Sequence, residues 1–341
     1  MSGSYWTSTQ RSKWQFTRQS LARERACLWN TELQQYPNGL NVIMDTPSKR
    51  DNNNNTTNSN GHQIYAKNIP IAARDLHWSK DYNLRIYSYF LIMKLGRRLN
   101  IRQCALATAQ IYMARFLLKV SVREINLFLL VTTCVYLSCK VEECPQYIRT
   151  LVSEARSLWP EYIPPDPTKV TEFEFYLIEE LDSYLIVHHP YNSMEEIIKC
   201  LKQEPYNLKL NNEDIQNCWS LINDSYIINE VHLLYSPHII AVSCLFITIC
   251  LRNVKSINNY NNMNSGVNED SRNNTNSNME INKKKQEIFN RFLAESQINL
   301  EEVMDTIQQT ITLYEHWESY QEVWIKFLLH ALYLRNPTKM N

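Results

Sequence analysis

The sequence has 341 residues, with 35 Lys plus Arg against 35 Asp plus Glu, and 44% of it is hydrophobic. That length serves two domains of ordinary size and can bury a sizeable core. A net charge of +0 argues against a nucleic-acid-binding chain, and only 5 Gly and 12 Pro argue against a β-protein.

The opening MSGSYWTSTQRSKW has no apolar core and is no signal peptide. Residues 4–29 set Tyr5, Trp6, Trp14, Phe16, Leu21, Leu28 and Trp29 among charges, which predicts a helix or two with one sticky side. Residues 46–62, TPSKRDNNNNTTNSNGH, have almost nothing to bury, and a disordered insertion is expected there. A long amphipathic helix is predicted over 80–99, ending in Gly96-Arg97-Arg98, and another over 101–119. Ser121 and Glu124 form a capping box before a helix that is apolar almost all round, from Ile125 through Leu137. A helix without a polar face is buried by its neighbours.

That helix runs into CVYLSCKVEECPQ, residues 134–146. Lys140 complements the negative end of the helix dipole. Glu142 and Glu143 do not, and each costs roughly 0.3–1 kcal/mol unless a cation answers it. Arg149, one short helix-start away, is the local candidate. A shorter helix follows near 146–157, then the turn PPDPT and a helix over 169–185.

The second half repeats this order. Ser193 and Glu196 form another capping box, and 212–234 is a long amphipathic helix. Ser236-Pro237 is an N-cap and first-turn pair opening an apolar helix over 238–251, the counterpart of 122–140. That helix falls short of the roughly 20 residues needed to span a bilayer. Residues 253–278 are again Asn-rich, and helices over 281–295 and 299–317 follow, the latter opened by Asn299 and Glu302.

The pattern is therefore all-α: a five-helix unit with a buried central helix, occurring twice and joined near HHPYN at 188–192. The nine cysteines include no C-x-x-C. Cys134, Cys139 and Cys144 recur regularly, but two lie within one apolar helix and no histidine completes a site, so buried free thiols in a reducing compartment are expected and no metal. No phosphate-cradling loop, dinucleotide fingerprint, zinc-helix motif or nucleophile elbow occurs, so no catalytic residue and no cofactor are expected. His188 and His189 point in different directions, which suits a structural or surface role.

A doubled five-helix unit with LSCKVEE closing its third helix resembles the cyclin fold. The stretches SYWTSTQRSKW with LARER, LATAQIYMARF (106–116), TCVYLSCKVEE (133–143), EFEFYLIEELDSYLIVHHPY (172–191), INDSY (222–226) and LYEHW (313–317) are similar to the cyclin C family, the transcriptional cyclins of the Mediator kinase module. LIVHHPY is shared with cyclin H. The resemblance implies two tandem five-helix cyclin boxes with an additional N-terminal helix. It places an N-terminal helical segment over 1–36, the Asn-rich insertion over 37–67, the kinase-binding first box over 68–187, and the second box over 188–335, interrupted at about 253–280.

The implied function is that of a non-catalytic, activating subunit of a cyclin-dependent Ser/Thr kinase. It would act in the nucleus with other Mediator kinase-module subunits, through phosphorylation of the C-terminal repeats of RNA polymerase II and of transcription factors, with no direct nucleic acid and no membrane partner. The implied kinase-binding residues are Lys140 and Glu174, with Glu143 or Glu142 supplying a carboxylate to an arginine cluster on the kinase, and Trp6 and Trp14 in an N-terminal segment. Without the resemblance, Lys140 complements a dipole, Glu174 is an exposed helix carboxylate, and Glu142 or Glu143 pairs with Arg149. Ser88 and Leu91 stand where cell-cycle cyclins carry Leu and Trp of a substrate-docking groove, so docking of that kind is not expected. The alternatives are another transcriptional cyclin, a two-repeat factor like factor IIB, which would need a basic face and a zinc ribbon, or a helical scaffold without a kinase.

Overall fold

The computed structural model describes residues 3–35, 40–46, 65–71, 75–228, 230–263 and 269–335. A 3-10 turn at Tyr5–Thr7 leads into α1 (Thr9–Lys13) and α2 (Arg18–Gln35), followed by β1 (Leu40–Thr46) and β2 (Tyr65–Ile71). Then come α3 (Tyr82–Arg98), α4 (Gln103–Lys119), α5 (Leu127–Val141), α6 (Ile148–Leu158) and α7 (Thr168–Glu180). The later helices are α8 (Pro190–Lys202), α9 (Asn212–Ile228), α10 (Glu230–Leu234), α11 (Pro237–Met263), α12 (Glu269–Glu295), α13 (Leu300–Glu318) and α14 (Glu322–Arg335).

The chain divides into two compact units. One holds residues 19–183 together with those from His316 on; the other holds the residues up to Arg18 together with 184–315. The first is built on α3 to α7, with α14 packed on α3. Its α5 touches α3, α4, α6 and α7 and is buried from Leu127 to Val135, as an all-round apolar helix must be. Gly96 lets α4 approach α3, since a Cβ there would meet the Leu106 side chain at 2.5 Å. The second unit repeats the plan around α11, which packs on α8, α9 and α12.

Two helix starts differ from the sequence expectation, whereas α11 begins at Pro237 and α13 at Leu300 after Asn299, as expected. The N-cap of α5 is Asn126, whose Oδ1 accepts from the N–H groups of Phe128 (3.0 Å) and Leu129 (3.2 Å). Ser121 is buried and donates instead to Glu32. Its oxygen also accepts from the N–H of Arg123 at 3.2 Å, so Ser121 closes a local turn five residues before the cap of α5 while its proton makes the long-range bond. Ser193 lies inside α8, because Pro190 supplies the pre-set first turn.

The second Asn-rich stretch differs from the expected disorder, while the first, 46–62, lies almost wholly outside the described residues. β1 and β2 pair antiparallel at the edges of the first, in the register Leu40↔Ile71 to Thr46↔Tyr65, and residues 47–64 lie outside the described ones. Pro70 is tolerated because a two-stranded ribbon consists only of edges. In the second, α11 extends to Met263 and α12 begins at Glu269. Once a buried helix exists, each added residue gains a hydrogen bond without a new nucleus. Composition alone did not weigh that.

In the second unit a polar chain sits in the core. His232 Nε2 lies 2.8 Å from Ser225 Oγ, and its ring stacks on Tyr226 at 4.1 Å. Tyr226 OH in turn lies 2.7 Å from His189 Nδ1. Gln10 clamps the main chain of the neighbouring His188, accepting from its N–H at 2.6 Å and donating to its carbonyl at 3.4 Å. The histidine pair thus acts structurally, as expected. Burial, helped by His189, lowers the His232 pKa to about 3. The unfolded chain takes up that proton near pH 6.5, so the contribution to stability is complete above pH 6.5 and is lost as pH falls toward 3. The melting temperature should therefore drop between pH 7 and pH 5, and His232→Gln should flatten part of that slope in calorimetric scans.

All nine cysteines are free thiols. Cys134, Cys139, Cys218 and Cys244 are buried as expected, whereas Cys27, Cys104 and Cys200 are exposed. Among the described residues no helix is long and apolar enough to cross a membrane.

Candidate partner-binding site

The last turn of α5 lies beside α7, and this brings Lys140 and Glu174 together. Lys140 Nζ donates to Glu174 Oε1 at 2.7 Å. The lysine side chain is 44% exposed and the glutamate 7%, so the carboxylate is the fixed half of the pair. The ammonium also lies 4.7 Å from the centre of the Tyr136 ring, which adds a cation–π contact. An ammonium has three donors, and Glu174 uses one. The site therefore presents a positioned cation at a helix end, able to donate to carbonyl oxygens of a partner. Glu174, expected without the resemblance to be an exposed carboxylate, is in fact buried.

The two glutamates separate. The Glu142 carboxylate folds back on α4, accepting from Thr108 Oγ1 at 2.6 Å and from Cys104 Sγ at 3.3 Å. Burial and the Glu142 charge push the Cys104 thiol up to about 12, so it stays protonated and keeps donating. Glu143 sits in the left-handed region at φ 53, exposed, and its carboxylate meets no cation among the described residues. A second cation at this helix end is Arg102, whose Nη2 donates to the carbonyls of Glu142 (3.2 Å) and Glu143 (3.1 Å). It answers the helix dipole rather than the carboxylates. Arg149 pairs with neither glutamate.

Trp6 and Trp14 belong to the other unit. Trp6 is 56% exposed, with the Arg11 guanidinium 4.7 Å from its ring and His238 alongside. Trp14 is 3% exposed and packs edge-on to Phe16, so it anchors its own segment.

Arg102 and Thr108 were not singled out from the sequence, because they reach the end of α5 only through the packing of α4 on α5. Phe175 was also missed. It is exposed beside Glu174, while Phe173 turns inward onto Phe116 at 5.8 Å. Two phenylalanines in EFEF give no sequence signal for which one faces out.

Comparison with known proteins agrees with this architecture. The family model described as the cyclin N-terminal domain matches residues 59–186. An RNA polymerase II holoenzyme cyclin-like subunit of Candida glabrata is 64% identical over 98% of this chain and 99% of its own length. A protein of the same name from Saccharomyces cerevisiae is 65% identical over 98% of each chain. A solved chain of the Chaetomium thermophilum CAK complex bound to ATP-gamma-S superposes with a TM-score of 0.51, covering 90% of this chain and 88% of that one; at 15% identity the likeness is one of fold alone. The chain belongs to the cyclin family, among the proteins named RNA polymerase II holoenzyme cyclin-like subunit.

Proposed function

We propose that this chain is the non-catalytic, activating subunit of a cyclin-dependent Ser/Thr kinase, that it works in the nucleus within the Mediator kinase module, and that it controls RNA polymerase II transcription through phosphorylation of the polymerase C-terminal repeats and of transcription factors. The observation that carries this reading is the Lys140–Glu174 pair, held at 2.7 Å at the end of the central helix of the first unit. Kinases of this class idle when their C-helix swings out and breaks the Lys–Glu pair that positions the ATP phosphates. A surface that binds only the inward helix shifts the population toward the active state. Lys140 would donate to backbone carbonyls near that helix, and Glu174 holds the ammonium in place. Adding the purified full chain to its kinase should raise phosphorylation of a polymerase-repeat substrate, whereas a helical scaffold without a kinase partner would change nothing.

Glu143 deepens the reading. An activation segment is normally ordered by a phosphate on an arginine cluster, and an exposed carboxylate can stand in for it. Glu143→Gln should leave melting unchanged and lower specific activity by about tenfold or more, since a hydrogen bond to a charged group is worth roughly 1.5–3 kcal/mol. Glu142→Gln should do the reverse, lowering the melting temperature through the weakened Thr108 bond with activity per complex intact. Kinase assays on purified complexes, paired with melts of the free cyclins, separate the two. If Glu143→Gln leaves activity intact, it is not the stand-in anion.

A further inference from the structure

α13 buries Val303, Thr306, Ile307, Thr310 and Leu313. Beside that face runs a second apolar line: Leu300, Met304, Ile307, Ile311 and Tyr314. Ile307 is buried and forms the floor, while the other four are large, exposed hydrophobic side chains. The spacing is four, three, four and three residues, the seam spacing of one helix packing along another. At 1.5 Å per residue the seam is about 21 Å long. On its solvent side lie Glu301, Gln308 and Glu315, seven residues apart and exposed. Neither glutamate meets a cation among the described residues, and α13 carries no Lys or Arg.

We propose that this seam is the docking surface for a basic amphipathic helix of another polypeptide, with apolar residues in the same alternating spacing and Lys or Arg placed against Glu301 and Glu315. A second copy of this chain fits poorly. Antiparallel pairing would set Glu301 against the other copy's Glu315. Parallel pairing would need the opposite flank, where Val303 and Thr310 are already buried. The surface is independent of the kinase reading, because its residues lie in the unit that does not hold Lys140.

The test uses the full chain and two labelled synthetic helices of about 20 residues, with leucines at the seam spacing and either lysine or glutamate on the flanks. Fluorescence anisotropy at low salt should show the lysine helix binding at least about tenfold more tightly, with a gap that shrinks as salt rises. Glu301→Lys with Glu315→Lys should invert the preference, and Met304→Gln with Ile311→Gln should remove binding of both helices. The charge swap lies on exposed positions, so it decides the matter even if the apolar variant fails to fold. Equal binding of the two helices, an unchanged preference after the swap, or self-association of the chain that Ile311→Gln abolishes would each overturn the proposal.

Discussion

Lys140→Glu is expected to abolish kinase activation. The substitution removes the donor from the end of α5 and puts a carboxylate next to Glu174, whose side chain is 7% exposed and whose ion-pair partner is Lys140. Truncating one partner of a desolvated, hydrogen-bonded charge pair costs about 2–5 kcal/mol at an interface, which is a loss of kinase affinity of roughly thirtyfold or more. The variant also leaves Glu174 buried and faced by a like charge. A drop in cyclin stability of about 1–3 kcal/mol should therefore accompany the loss of activation. Lys140→Met separates these effects: it retains the stem, removes the repulsion, and should still fail to activate. The measurement is kinase activity across a titration of cyclin, which reads apparent affinity and maximal activation separately, beside the melting temperature of each free variant. A folded Lys140→Met chain that activates fully would remove Lys140 from the interface and leave Glu174 as its structural anchor only.

The architecture was largely legible in the sequence because hydrophobic periodicity reports directly on burial. The apolar runs around 127–139 and 238–249 are visible as helices without a polar face, and those are the helices that other helices surround. The Lys140–Glu174 pair was legible only through the family resemblance, since nothing in a single sequence says that positions 140 and 174 meet. Start signals were read less well. Ser121 satisfies the capping pattern with Glu124, yet Asn126 caps α5 and Ser121 serves a long-range bond. A local pattern states what a side chain can do next to itself. It cannot state that a carboxylate 89 positions earlier will claim the same hydroxyl. The same limit hid Arg102, whose donors close the end of α5 from 40 residues away in sequence.

That early carboxylate is the source of the other large expected effect. Glu32, on α2, is 2% exposed. Its Oε2 lies 2.6 Å from His77 Nδ1, and its Oε1 accepts from the Ser121 hydroxyl. His77 Nε2 lies 2.8 Å from Ser79 Oγ, and Trp29, also on α2, packs on the imidazole at 4.8 Å. Lys80 covers the Trp29 ring at 3.4 Å. One carboxylate thus ties α2 to the segment before α3 and to the loop before α5. Glu32→Ala takes the carboxylate away from His77 Nδ1 and from the Ser121 hydroxyl proton, although His77 Nε2 and the Ser121 oxygen keep their other bonds. Breaking a buried pair from one side costs about 3–5 kcal/mol, much of the 5–15 kcal/mol that holds a typical domain together. Urea unfolding should show a large fall in the midpoint. Glu32→Gln, which retains an acceptor for Ser121, should lose less, and Ser121→Ala less still. Combining Glu32→Leu with His77→Phe should recover part of the loss, since apolar groups of similar volume need no partner. If Glu32→Ala unfolds within about 1 kcal/mol of wild type, α2 is held by Leu21 and Trp29 packing alone. Because Lys140 stands in the same unit, the Glu32→Ala chain should also activate its kinase more weakly at temperatures where that unit begins to open, and fully below them. That temperature dependence distinguishes a lost foundation from a lost contact.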